Sequence, residues 1–108
     1  MVNGPDNSLH IRSEFADDPD MHDLVYEYVS KMATRIEKMT TAFEQGEREQ
    51  LIRLTHQLKG SGGGYGFPML TSLAAELEKT LLDIGEGDLS KAEQPFTALV
   101  EVCGRMAA

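Results

Sequence analysis

A histidine and a lysine stand three residues apart in this sequence and lead straight into glycine: His56-Gln57-Leu58-Lys59-Gly60-Ser61-Gly62-Gly63-Gly64-Tyr65-Gly66. A free imidazole, with a pKa near 6.5 in model peptides, is largely neutral at pH 7, so one ring nitrogen has a lone pair for attack on an electrophile. An ammonium at i+3 falls on the same face of a helix and offsets negative charge brought to that face. The pair therefore suits chemistry on an anionic group arriving from outside.

That chemistry requires the imidazole to face solvent. At about 100° per helical residue, with His56 at zero, Leu51, Leu54, Leu58, Gly62 and Tyr65 cluster on the far side. Glu49, Ile52, Arg53, Lys59, Gly60 and Gly63 share the side of His56. The leucine stripe then faces the core and His56 faces water.

The glycines are informative because they are unfavourable. Each costs roughly 0.8–1 kcal/mol relative to Ala in a helix interior. Gly60 and Gly63 lie one and two turns beyond His56, where a missing side chain lets another surface approach the imidazole. The competing reading ends the helix near Gly60 and makes the glycines a cap and loop. A nucleotide-binding loop fits poorly. Neither G-x-x-x-x-G-K-[ST] nor G-x-G-x-x-G occurs, and the run follows a helical pattern rather than a strand.

Four elements position this stretch. Asp18-Pro19-Asp20 reads as a helix start. Met21, Leu24, Val25, Tyr28, Val29, Met32, Ile36, Met39 and Phe43 then describe one apolar stripe that stops at Gly46, predicting a single helix of about 26 residues. A second helix runs from near Glu47 through the glycines to about Gly64, with the break at Gly66-Phe67-Pro68. A third spans about Pro68 to Asp83, with Leu70, Leu73, Ala74, Leu77, Leu81 and then Ile84 as its stripe. Ser90-Lys91-Ala92-Glu93 has the form of a capping box and opens a fourth, carrying Ala92, Phe96, Leu99, Val100, Cys103 and Met106. No segment alternates as a half-buried strand would. The expected fold is all-α: an antiparallel up-and-down four-helix bundle over residues 17–108, preceded by a flexible lead-in over residues 1–16. Within the lead-in, residues 1–8 read as a mobile tail, and Leu9, Ile11 and Phe15 as a segment folding back over one end of the core. His56 is expected at mid-height on the outside, where Lys31, Arg35 and Lys38 could flank it.

Composition narrows the partners. The chain has 108 residues, with 18 acidic against 10 basic and a net charge of −8. That disfavours nucleic acid and anionic membranes, which need a basic footprint. The lone Cys103 permits no intrachain disulfide and suits a reducing cytoplasm. Residues 1–6 lack the pattern of a signal peptide, and no apolar run approaches the roughly 20 residues needed to cross a bilayer. Met1 and the polar start suggest a small free-standing protein.

With the motif and its elements in place, a resemblance can be stated. His56-x-Leu58-Lys59-Gly60-Ser61, with Gly66 ten residues after the histidine, is similar to the signature of histidine-containing phosphotransfer (HPt) domains. The likeness extends to the Asp-Pro opening of the first helix, the helix leading into His56, and Leu73-Ala74-Ala75-Glu76-Leu77-Glu78. It covers roughly residues 18–105. It implies a phosphorelay carrier whose histidine accepts a phosphoryl group from an aspartyl phosphate on one receiver domain and hands it to another. By position His56 is the acceptor, through Nε2. Lys59, Gln57 and Gly60 support the phosphate, and Ile52, Arg53 and Gly63 dock the partner. The implied partners are response-regulator receiver domains and a hybrid sensor histidine kinase. The receiver supplies metal and aspartate, so this chain needs no metal or cofactor, is not an enzyme by itself, and is expected to be a monomer. Gly62 departs from the family, which more often has Ser or Ala there.

Two other readings compete. A non-phosphorylated adaptor bundle could bind a signalling partner through the same face, since fold alone does not give function. A hydrolase using His56 as base lacks a recognisable Ser or Cys nucleophile and a carboxylate pair. His10 and His22 read as solvated, Cys103 as a core residue, and the methionines as core filling.

Overall fold

The computed structural model describes residues 10–107, so the tail expected at residues 1–8 lies outside the described residues, as do Leu9 and Ala108. Five α-helices follow in chain order: α1 (His22–Ser30), α2 (Met32–Glu44), α3 (Arg48–Gly62), α4 (Pro68–Ile84) and α5 (Glu93–Arg105). Helices α2 and α3, α3 and α4, α4 and α5, and α5 and α2 pack as neighbours, which closes a four-cornered bundle with α1 extending α2. The apolar stripes meet inside it. Val25, Met39, Leu51, Leu58, Leu70, Leu77, Leu81 and Leu99 are almost wholly removed from water. The all-α four-helix bundle expected from periodicity is the architecture observed.

The predicted first helix is interrupted once. Asp18 starts it as expected: its Oδ1 accepts the Asp20 N–H at 2.8 Å, and its carbonyl accepts the Met21 and His22 N–H groups. Regular helix then begins at His22, and Lys31, with ψ near −2°, separates α1 from α2. The Ser30 hydroxyl donates to the Glu27 carbonyl at 2.8 Å, a local bond that competes with the helical ladder and bends it. The stripe continues across the break, which is why periodicity alone reads one helix.

Two glycines close helical segments by the same device. Gly46 has φ +72° and Gly66 has φ +88°, left-handed values that favour residues without a Cβ. The Glu47 N–H bonds to the Ala42 carbonyl and the Phe67 N–H to the Gly62 carbonyl, each at 2.8 Å. Both are the six-to-one bond of a Schellman cap. Between Gly62 and Gly66 the chain tightens into a 3₁₀ turn over Gly63–Tyr65. The α-helix therefore passes Gly60 but ends at Gly62, short of the expected Gly64.

At the other end, the Asp88 carboxylate accepts the Ser90 N–H at 2.9 Å and caps a 3₁₀ turn over Leu89–Ala92, after which α5 begins at Glu93. Met106, read as helical, instead lies on a two-residue strand β2 (Met106–Ala107) that pairs in parallel with β1 (Ile11–Arg12). Strands of two residues are too short to show an alternating pattern, so none is visible in the sequence. Residues after β1 continue over the end of the core. Ser13 is buried, its hydroxyl donates to the Tyr65 carbonyl at 2.6 Å, and the Glu14 N–H donates to the Gly66 carbonyl at 2.8 Å. The fold-back of Ile11 and Phe15 is thus a two-residue strand followed by turns over residues 14–17, clamped to the turn after α3. No helix among the described residues is long and apolar enough to cross a membrane.

Candidate functional site

His56 is the ninth of the fifteen residues of α3, near the middle of the bundle's height, and its side chain is 66% exposed. Leu51, Thr55, Leu58 and Gly62 on the same helix are buried, so the helix presents its leucine face inward and the imidazole outward. The glycines divide likewise. A Cβ at Gly60 would meet nothing within 4 Å, whereas one at Gly62 would lie 2.9 Å from Thr71 Oγ1 and 3.1 Å from the Thr71 backbone nitrogen. Gly60 leaves open space one turn beyond His56, and Gly62 lets α3 and α4 touch.

The histidine has a partner that the local sequence does not announce. Glu78, on α4, places Oε2 at 2.9 Å from His56 Nδ1 and Oε1 at 2.6 Å from Lys59 Nζ. One carboxylate thus bridges both members of the motif. The Lys59 ammonium foremost, and the His56 hydrogen bond after it, hold the Glu78 carboxyl below the ordinary carboxylate range, against the opposing effect of its partial burial. An ionised carboxylate only accepts hydrogen bonds, so Nδ1 carries the proton that it shares with Glu78. Nε2 is then the unprotonated nitrogen of the neutral ring, and it lies on the side away from Glu78.

A second α4 residue fixes the spacing of the two helices. Thr71 Oγ1 accepts the Gly63 N–H at 2.8 Å and donates to the Lys59 carbonyl at 3.1 Å. Gly63–Thr71 and His56–Glu78 step seven residues in opposite directions, the register of an antiparallel pair. Thr71 and Glu78, seven apart on α4, share one face of it, and that spacing was the available signal. Their role depends on the register with α3, which local pattern does not specify.

The other predicted site residues divide. Lys59 is at the bridge. Gly60 is open. Gln57 is exposed, and Arg53 is exposed and donates back to Gln50 Oε1. Ile52 departs from its expected exposure: it is half-buried and packs against the core, because its position leans toward α4. The same register brings Leu82, 56% exposed, opposite Ile52. Gly63 keeps an exposed backbone held by Thr71. Ser61 turns inward, its hydroxyl 2.6 Å from the Tyr28 hydroxyl, and Tyr28 stacks on Tyr65 at 4.2 Å between centroids. Lys31, Arg35 and Lys38 line a groove with Thr34, Leu54 and Gln57 on the opposite flank of α3 from Glu78.

Elsewhere the chemistry is quiet. Cys103 is buried, and burial pushes its thiol up to about 12, so it holds its proton at neutral pH. His10 and His22 are exposed. No group of three or more His, Cys, Asp or Glu among the described residues is arranged to hold a metal ion.

Residues 23–108 match the family model described as the Hpt domain. The chain belongs to the histidine-containing phosphotransfer family. An Hpt domain is a phosphotransfer module of two-component signalling and works with receiver domains and histidine kinases. The matched region contains α3, α4 and every residue of the His56–Lys59–Glu78 bridge. No individual curated protein and no solved structure matches the chain.

Proposed function

We propose that this Hpt domain is a phosphorelay carrier in which His56 accepts a phosphoryl group from an aspartyl phosphate of one receiver domain and passes it to the aspartate of another. The observation that carries this reading is the exposed imidazole whose Nδ1 is engaged by Glu78, leaving Nε2 free and outward. In the forward step the Nε2 lone pair attacks phosphorus, a P–N bond forms, and the P–O bond to the receiver carboxylate breaks. The carboxylate leaves as the anion. The ring, already protonated at Nδ1, becomes a phosphoimidazolium whose positive charge lies against Glu78. The reverse step expels a neutral imidazole, a far better leaving group than an imidazolide. Phosphoryl transfer depends chiefly on positioning and charge stabilisation. Lys59 supplies positive charge, Gly60 supplies room, and the exposed Gln57 amide is within the same outer region. Ile52, Arg53 and Gly63 contribute to docking, Ile52 with only part of its apolar surface.

On this reading the metal and the acceptor carboxylate belong to the receiver, and the chain is a cytoplasmic monomer serving a hybrid kinase and its regulators. The test is transfer of labelled phosphate from phosphorylated receiver domains to the wild-type chain and to His56→Gln. Acid-labile, base-stable label on the wild type alone is the expected result, with helix content unchanged in the variant because His56 lies outside the core. Label that persists in His56→Gln, or a folded wild type that takes none from a broad panel, would leave the adaptor reading in its place.

A further inference from the structure

The flank of α3 away from Glu78 carries a charge arrangement that the transfer step does not use. Lys31, at the break that precedes α2, and Arg35 and Lys38 on α2 recur at four and three residues and line one groove. The groove, of about 320 Å³, has Leu54 and Gln57 as its α3 wall. Gln57 is the residue after His56, and exposed Arg53 lies between the groove and the imidazole on the helix surface. Four of the chain's 10 cationic residues, Lys31, Arg35, Lys38 and Arg53, therefore border this side, in a protein of net charge −8. The groove's cations are only lightly engaged. Lys31 is 3.7 Å from Glu27 with both side chains in water, and Arg35 lies 5.7 Å over the Tyr28 ring. The basic surface is bounded, since Glu37 and Glu47 line the next depression along α2.

We infer that this groove is the electrostatic docking surface for the acidic rim of the receiver domain that exchanges phosphate with His56. The inference rests on the acceptor reading and adds the partner's chemistry. A partner that presents a phosphorylated carboxylate together with a hard divalent cation must hold that cation with further carboxylates. Its site is therefore rimmed with negative charge. The overall charge of this chain repels such a surface everywhere except where a local positive field guides it, and such fields act mainly on the rate and register of encounter. A long polyanion is disfavoured because it would extend past the groove onto acidic surface.

The experiment compares the full-length wild type with Lys31→Glu/Lys38→Glu, both exposed positions, and with the milder Lys31→Gln/Lys38→Gln. Two readouts separate the proposal from its premise. Phosphoramidate, a small donor that needs no docking, reports the acceptor; phosphorylated receiver domains report docking. The expected result is equal phosphoramidate labelling of all three proteins. Receiver transfer at low salt should fall by about ten-fold or more in the charge-reversed protein and by less in the neutralised one, and added salt should slow the wild type more steeply than either variant. Wild-type transfer rates and salt slopes in both variants overturn the proposal while leaving His56 as acceptor. It is equally overturned if inorganic phosphate shifts only the groove's amide resonances while the variants transfer normally, because the groove is then a simple anion site. A wild type that neither phosphoramidate nor phosphorylated receivers label removes the acceptor reading and this proposal with it.

Discussion

The two faces of the glycine run that follows His56 are built from one residue type for opposite reasons. On the inner face, Gly62 and Gly66 are glycine because neighbours occupy the space a Cβ needs. At Gly66 a Cβ would collide with Ser13 Oγ and come within 2.8 Å of the Glu14 nitrogen, in a left-handed conformation besides. On the outer face, Gly60 and Gly64 have nothing within 4 Å of a Cβ, so no fold requirement keeps them small. The inner glycines serve packing. Gly60, one turn beyond His56, leaves room beside the imidazole. All four are alike as residues, so only the surroundings and the left-handed backbone of Gly66 distinguish them.

The comparison breaks most visibly at Gly66. Gly66→Ala combines left-handed strain with a clash against backbone, and should destabilise by at least about 2 kcal/mol. In a domain of this size that lowers Tm by on the order of 10 °C, readable by calorimetry. A smaller drop than that of Gly62→Ala would mean the lead-in moves aside and does not clamp the turn.

On the outer face the largest effect should come from Glu78→Gln, and it should be functional. An amide can donate or accept, so it no longer forces the proton onto Nδ1. Transfer should slow on the order of ten-fold or more with the bundle intact. The same variant has a signature in acid. The Glu78 carboxyl is held below its ordinary 4.5, so it stabilises the folded state above that pH, and the contribution is lost as pH falls through the folded value. Denaturation followed from pH 6 to pH 3 should therefore decline less steeply for Glu78→Gln than for the wild type. Parallel curves would remove the bridge from the stability of the fold.

The smallest effects give the sharpest contrast. Gly60→Ala should stabilise by about 0.8–1 kcal/mol, the helix-propensity gain with nothing to oppose it, while slowing transfer from receivers. Gly62→Ala has the same gain but meets the Thr71 backbone, and should come out destabilised by about 1 kcal/mol with transfer from receivers little changed. If urea midpoints of the two variants move in the same direction, the distinction between the faces fails.

Much of this was legible locally. The stripes of Leu70-Ala74-Leu77-Leu81 and Leu51-Leu58 placed their helices and, by azimuth, turned His56 outward. Asp18, Gly46 and Pro68 marked ends. The break at Lys31 was not legible, because a Ser30 hydroxyl bond bends the helix without disturbing its apolar period. Ile52 was misplaced because the azimuth of a single helix does not say how far a neighbour wraps around it.

Sequence alone thus determined the bundle's helical stretches, though not the break at Lys31 or the two short strands, together with their inward faces and the placing of His56 beside Lys59, all of which follow from periods shorter than eight residues. Tertiary structure decided what completes the site. Glu78 reaches Nδ1 from 22 residues away, Thr71 ties down Gly63, and the lead-in at Ser13 meets Gly66 from the far end of the chain. These depend on the register of α3 against α4 and on the fold-back of residues 11–16, which are settled by packing the whole core rather than by any local stretch.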